Sequence, residues 1–184
     1  MIWVILCLGL TRSSWDKTAK IWDRYTGECK LTLSGHSNEL INAVFSADES
    51  LVLTTARDAA KIWDGVTGQC RLTLSFRSKR EGLPSLTSAA FSPDDSSVLA
   101  CCWDEVSIWD STTGECKQIL AGRVPERRFY SAMYSADGAL IVTTTKSKSW
   151  KTRIVPKLWD SVTGECVQTL LGHSDVVCFA IFSA

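Results

Sequence analysis

The sequence predicts an all-β chain built from four tandem four-stranded antiparallel units, and three observations carry that expectation. The first is a stretch of the form K-I-W-D-x-x-T-G-E-C, which runs from Lys20 to Cys29 and closes again on Cys70, Cys116 and Cys166. Its I/L-W-D part stands at Ile21-Trp22-Asp23, Ile62-Trp63-Asp64, Ile108-Trp109-Asp110 and Leu158-Trp159-Asp160, with Gly27, Gly68, Gly114 and Gly164 after it. Self-similarity at such a period marks a repeat architecture. The second is that short runs rich in Val, Ile, Leu, Thr and Trp alternate with Ser/Asp/Gly clusters, the pattern of strands joined by turns. The third is the lack of any sustained 3.6-residue apolar period, so little helix is expected.

The elements follow in chain order. Residues 1–10 are almost wholly apolar and could be a secretory segment or a buried strand. No Lys or Arg precedes Ile2, no small-residue cleavage site follows, and ten residues cannot span a bilayer, which favours the strand. In the first unit, 8–13, 19–22 and 29–33 read as second, third and fourth strands with no first strand before them. The second unit reads as strands at 40–45, 51–55, 60–63 and 70–74. The third has them at 86–91, 98–102, 106–109 and 116–120, and the fourth at 129–134, 140–144, 154–159 and 166–170. A lone first strand over 176–182 ends the chain. The turn between first and second strands recurs as F-S-A-D-E, F-S-P-D-D and Y-S-A-D-G.

Composition sets the class. The 184 residues carry no net formal charge, with 45% hydrophobic and 22% charged residues, as in a soluble globular domain. Four of the eight cysteines occupy the repeated position, only two histidines exist, and no C-x-x-C pair occurs. Zinc needs four converging ligands, which this layout does not offer, so no metal is expected. Reduced thiols in a cytoplasmic or other intracellular protein are the expectation.

The order G-H, F-S-x-D, D-x-T-x-K-I-W-D, T-G resembles the WD40-repeat β-propeller family over essentially the whole chain after Leu8. The resemblance implies a single domain over 1–184, of about four four-stranded blades. Blade 1 takes 8–33 plus 173–184, blade 2 36–74, blade 3 86–120 and blade 4 129–170. The ring is closed by the N- and C-terminal strands or left as an open arc. Spacings of 41, 46 and 50 between the repeat glycines place insertions in the later units.

The resemblance further implies a buried hydrogen-bonded network in each blade, made of His, a strand hydroxyl, a turn Asp and the strand Trp. Those positions fall on His36, Thr54, Asp58 and Trp63 in blade 2, where Ala56 stands at the usual hydroxyl position. In blade 1 they fall on His173, Ser14, Asp16 and Trp22, the best-preserved set. Ser75-Phe76 and Gly122-Arg123 replace the G-H pair in the other units. Asp58 and Asp104 stand one residue closer to their Trp than Asp16 does, and no Asp precedes Trp159. Blades 3 and 4 are therefore expected to be less rigid, since incomplete polar networks lose mutual support.

No phosphate loop, H-E-x-x-H or G-x-S-x-G occurs, so no catalytic residue, cofactor or enzyme activity is expected. The charges are informative instead. The three long connections hold Arg77, Lys79, Arg80, Arg123, Arg127, Arg128, Lys146, Lys148, Lys151 and Arg153 against Glu81 and Glu126. The remaining turns are acidic. A propeller would collect the basic set, with Trp150, on one rim and the acidic set on the other.

These features point to a non-enzymatic scaffold that presents loop rims to other proteins, with no membrane role. Two alternatives stay open. One is binding of an acidic peptide or nucleic acid to the basic rim, where aromatic residues are few. The other is a partial or degenerate piece of a larger propeller with no role of its own.

Overall fold

A computed structural model describes residues 3–6, 16–76, 86–121, 127–147, 155–173, 177 and 180–183, with the backbone alone at 3–6, 121, 127–128 and 146–147. The described residues form no helix; they form one three-stranded and three four-stranded antiparallel sheets. Two compact units divide the chain, residues 1–84 and 85–184.

The first unit holds two sheets. Strands β1 (Trp3–Leu6), β2 (Ala19–Asp23) and β3 (Cys29–Leu33) make the first, in that order. Strands β4 (Leu40–Phe45), β5 (Leu51–Ala56), β6 (Ala59–Asp64) and β7 (Cys70–Ser75) make the second as a simple meander. One core joins them: Ala19, Ile21 and Leu33 pack with Leu40, Val52, Ala56 and Trp63, all buried. Leu33, with half-buried Leu31, anchors a strand whose Cys29, Lys30 and Thr32 face solvent. Burying such a side chain contributes about 1.5–3 kcal/mol.

The second unit repeats the plan. Strands β8 (Leu86–Phe91), β9 (Ser97–Cys102), β10 (Val106–Asp110) and β11 (Cys116–Ala121) form the third sheet. Strands β12 (Arg127–Tyr134), β13 (Leu140–Ser147), β14 (Lys157–Asp160) and β15 (Cys166–Thr169) form the fourth. Leu99, Cys101, Val106, Ile108 and Leu120 of the third sheet share a core with Phe129, Ile141 and Trp159 of the fourth. The Phe129 N–H donates to the Trp103 carbonyl at 2.9 Å, which ties the start of β12 to the β9–β10 turn.

Three sequence expectations need correction. The strand that pairs with β2 is Trp3–Leu6, in register Val4↔Trp22 and Leu6↔Lys20, and not 8–13. Its four residues are all apolar, whereas 8–13 runs into Thr-Arg-Ser; residues 7–15 lie outside the described ones. The strand expected over 176–182 is not formed among the described residues there: Val177 and 180–182 belong to no ladder. An extended run without a neighbour leaves its backbone donors and acceptors unpaired and has no sheet to hold it. Finally, β12 and β13 extend beyond 129–134 and 140–144, so Arg127, Arg128 and Lys146 stand on strands and not in loops.

Candidate interaction surfaces

Each sheet ends in a turn of the form D-x-x-T-G, and the residue types follow from its geometry. Asp23 Oδ1 accepts from the amides of Tyr25 and Thr26 at 2.9 and 3.0 Å. Asp64, Asp110 and Asp160 do the same for Val66 and Thr67, Thr112 and Thr113, and Val162 and Thr163. The threonine hydroxyl then takes the amide two residues on, at 3.3 Å in all four copies. The glycine follows at φ 69–72°, a left-handed conformation that a side chain disfavours. Backbone amides hold all four Asp carboxyls below the usual range, with Arg71 adding to this at Asp64 and Lys117 at Asp110.

These rigid turns carry exposed apolar tips. Tyr25, Val66 and Val162 are 75%, 80% and 85% exposed at one repeat position. The guanidinium of Arg24 lies 5.0 Å from the centre of the Tyr25 ring. The sequence carried the signal, since the second residue after the I/L-W-D aspartate is Tyr, Val, Thr and Val.

The buried network of the second sheet centres on Thr54. The Trp63 indole N–H donates to Thr54 Oγ1 at 2.6 Å, and His36 Nε2 lies 2.6 Å from the same oxygen. Burial first, and then the charge of Lys61, hold His36 down at about 4, while Asp58 pulls weakly the other way. Asp58 does not close the set. Its Oδ2 accepts from the Ser37 hydroxyl, and Asp58 Oδ1 and His36 Nδ1 are both buried with no hydrogen-bond partner among the described residues.

The other sheets vary the theme. In the fourth, Trp159 Nε1 donates to Thr143 Oγ1 at 2.9 Å. In the third, Ala100 stands at the register position of Thr54, and Trp109 Nε1 turns to Ser107 Oγ at 2.9 Å. In the first, Leu6 stands there, and Trp22 Nε1 is buried without a partner among the described residues. Asp16 accepts from the Thr18 amide at 3.0 Å, His173 is exposed, and Ser14 lies outside the described residues.

Of the basic set, Arg77, Lys79, Arg80, Arg123, Lys148, Lys151 and Arg153, with Trp150, lie outside the described residues. The backbones of Arg128 and Lys146 are direct cross-strand partners, as are those of Arg127 and Ser147. They sit at the end of the fourth sheet away from its acidic turns. At that acidic end the two turns of each sheet in the second unit are tied together. Ser111 Oγ donates to the Asp95 carbonyl and Ser161 Oγ to the Gly138 carbonyl, both at 2.6 Å.

A cleft of about 630 Å³ opens at this acidic end between the third and fourth sheets. The turn of the fourth sheet lies so close to β11 that a Cβ on Gly164 would meet the end of the Gln118 side chain. The β12–β13 turn lies beside the β8–β9 turn, where a Cβ on Gly138 would be 3.4 Å from Pro93 Cδ. Tyr134 and Ile108 line the cleft together with Asp94, Asp137 and Val162. Burial, with a smaller contribution from Asp94, pushes the Tyr134 phenol up to about 12. The sequence marks Ile108 and the F-S-P-D-D and Y-S-A-D-G turns as repeat positions but does not bring them together, because the cleft arises from packing between two repeats.

Among the described residues no group of His, Cys, Asp or Glu is placed to hold a metal, and no helix is long and apolar enough to cross a membrane. Residues 27–64 and 69–110 each match the WD40 family, described as "WD domain, G-beta repeat". Repeats of this family generally mediate protein interactions and generally serve as non-enzymatic scaffolds. The matched copies are consecutive, and the Asp-capped turn and the strand Trp recur in the sheets on either side of them. Residues 27–64 and 69–110 are thus two WD40 repeats, set in a chain whose other sheets follow the same antiparallel plan.

Proposed function

We propose that this chain is a non-enzymatic scaffold that presents its repeated D-x-x-T-G turns to partner proteins. The observation that carries the reading is the exposure of Tyr25, Val66 and Val162 on turns fixed by two amide-to-carboxylate bonds each. An apolar tip on a preorganised turn loses little conformational entropy on contact, which favours binding. A photo-crosslinking side chain at position 66 or 162 is expected to trap discrete partner proteins in cells, while the same group at exposed Thr32 does not. Equal, diffuse labelling from all three positions defeats the reading.

A second reading is supported by the register of β12 and β13. Arg128 pairs with Lys146 in the β12–β13 register and Arg127 is next to it, so three basic positions gather at this end of the sheet. The occupant of this end is then an acidic peptide or a nucleic acid. Binding of a single-stranded oligonucleotide is expected to fall steeply with salt. Replacing Arg127, Arg128 and Lys146 by Gln should weaken it. Unchanged binding in that variant reduces the basic end to solvated surface.

A further inference from the structure

The cleft of the second unit has a chemistry that its apolar tip alone does not explain. Two carboxylates line it, Asp94 from the β8–β9 turn and Asp137 from the β12–β13 turn. Asp94 is held ionised chiefly by the hydroxyls of Ser92 and Ser96, and Asp137 by the hydroxyl of Ser135 and the amide of Ala139. Lys117, the cation at the cleft, is already committed. Its ammonium lies 3.0 Å from Asp110 Oδ2 and donates to Ser97 Oγ at 3.0 Å and to the Ser96 carbonyl at 3.2 Å. The carboxylates of Asp94 and Asp137 therefore leave the cleft with an excess of negative charge.

Its remaining surface is of the kind that flanks a long cationic side chain. Tyr134 supplies the aromatic part of the lining, and Pro93, Ile108 and Val162 the aliphatic part. Guanidinium stacks on aromatic rings and donates to carboxylates from a planar fork, while its methylene stem packs on apolar surface. A volume of about 630 Å³ exceeds what one side chain needs and leaves room for the backbone that bears it.

We propose that this cleft receives an arginine side chain from an extended segment of a partner protein. The proposal rests on the scaffold reading and gives one of its surfaces a partner chemistry. Asp94 and Asp137 supply the charge, Tyr134 the stacking face, and Val162 contacts the residue next to the arginine. Each carboxylate keeps its turn-capping bonds while it does so, because those bonds use only part of its acceptor capacity.

The test is an NMR titration of the full chain with acetyl-Ala-Ala-Arg-Leu-Ala-Ala-amide. A second peptide carries citrulline, which keeps the shape of arginine without its charge. The arginine peptide is expected to shift amides of 92–97, 117–118, 134–138 and 161–164 saturably, and the citrulline peptide to bind at least tenfold more weakly. The Asp94→Asn/Asp137→Asn variant retains the capping oxygens and is expected to lose at least tenfold for the arginine peptide alone. Equal affinity for the two peptides, shifts located elsewhere, or an unchanged affinity in the variant overturns the proposal. Crosslinking from position 66, in the first unit, separates the two readings. If it persists while the cleft stays silent, the arginine site fails and the scaffold stands; if it too is lost, the scaffold fails.

Discussion

Thr54 shows how much one hydroxyl can carry. It accepts from Trp63 and meets His36 with no exposure of its own, so both larger groups depend on it for a polar partner. Thr54→Val keeps the shape and removes the oxygen, leaving a buried indole N–H and a buried imidazole nitrogen unpaired. Unpaired buried groups cost roughly 1–3 kcal/mol each, so a loss of about 2–6 kcal/mol is expected in urea unfolding, with Thr54→Ser close to the parent. A Val variant as stable as the parent removes the network from the account. His36 adds a pH dependence of known sign. Its folded value of about 4 lies below its ordinary 6.5, so the unfolded chain takes up a proton that the folded chain refuses. Stability is fully present above pH 6.5 and falls as pH drops from there toward 4. The fall is expected to be absent in His36→Gln.

Trp22 is the exception among the four strand tryptophans, with no acceptor among the described residues, and the sheets around it explain why. Thr54 and Thr143 serve Trp63 and Trp159 from the neighbouring strand, and Ser107 serves Trp109 from its own strand. Lys20 stands where Ser107 does, two residues before the tryptophan. Lys20→Ser is expected to supply the missing acceptor and raise stability by about 0.5–1.5 kcal/mol in urea melts, with Lys20→Ala giving no such gain. Serine and alanine variants of equal stability would show that Trp22 is satisfied by other means. The same comparison shows what was legible in advance. The repeat fixed strand order and turn positions because each turn residue answers a local backbone need: Asp to cap, Thr to cap again, Gly for a left-handed φ. The first strand was misplaced because an apolar run of ten residues offers several registers, and only pairing with Ala19–Asp23 selects Trp3–Leu6. That Asp58 bonds to Ser37 and not to His36 was not legible either. The shorter spacing from Asp58 to Trp63 leaves the carboxylate with Ser37, a competition that sequence spacing flags without deciding.

Across the whole chain, equal numbers of acidic and basic residues conceal an uneven distribution, with 20 of each in the sequence. In the second unit the turn end carries Asp94, Asp95, Asp110, Glu115, Asp137, Asp160 and Glu165, while Arg127, Arg128 and Lys146 stand at the far ends of β12 and β13. The repeat itself produces this, because capping a turn with a carboxylate places a negative charge at the same end of each sheet. It also makes acid sensitivity a property of the whole array. Asp23, Asp64, Asp110 and Asp160 are held below the ordinary 3.8 chiefly by turn amides, and Asp48, Asp94 and Asp137 chiefly by serine hydroxyls. A carboxyl that is more acidic in the folded chain stabilises it above 3.8 and ceases to do so as pH falls through the folded value. Each of these groups is at the surface, where screening keeps any single contribution small, so the effect is visible only in sum. Chemical unfolding measured against pH is therefore expected to show two limbs, one between 6.5 and 4 from His36 and one below 3.8 from the capping carboxyls. His36→Gln should flatten the upper limb alone. Replacing Asp64, Asp110 and Asp160 by Asn, which still accepts from the turn amides, should flatten the lower limb alone. A lower limb that keeps its slope in the triple variant would mean that acid acts elsewhere than on the repeated caps.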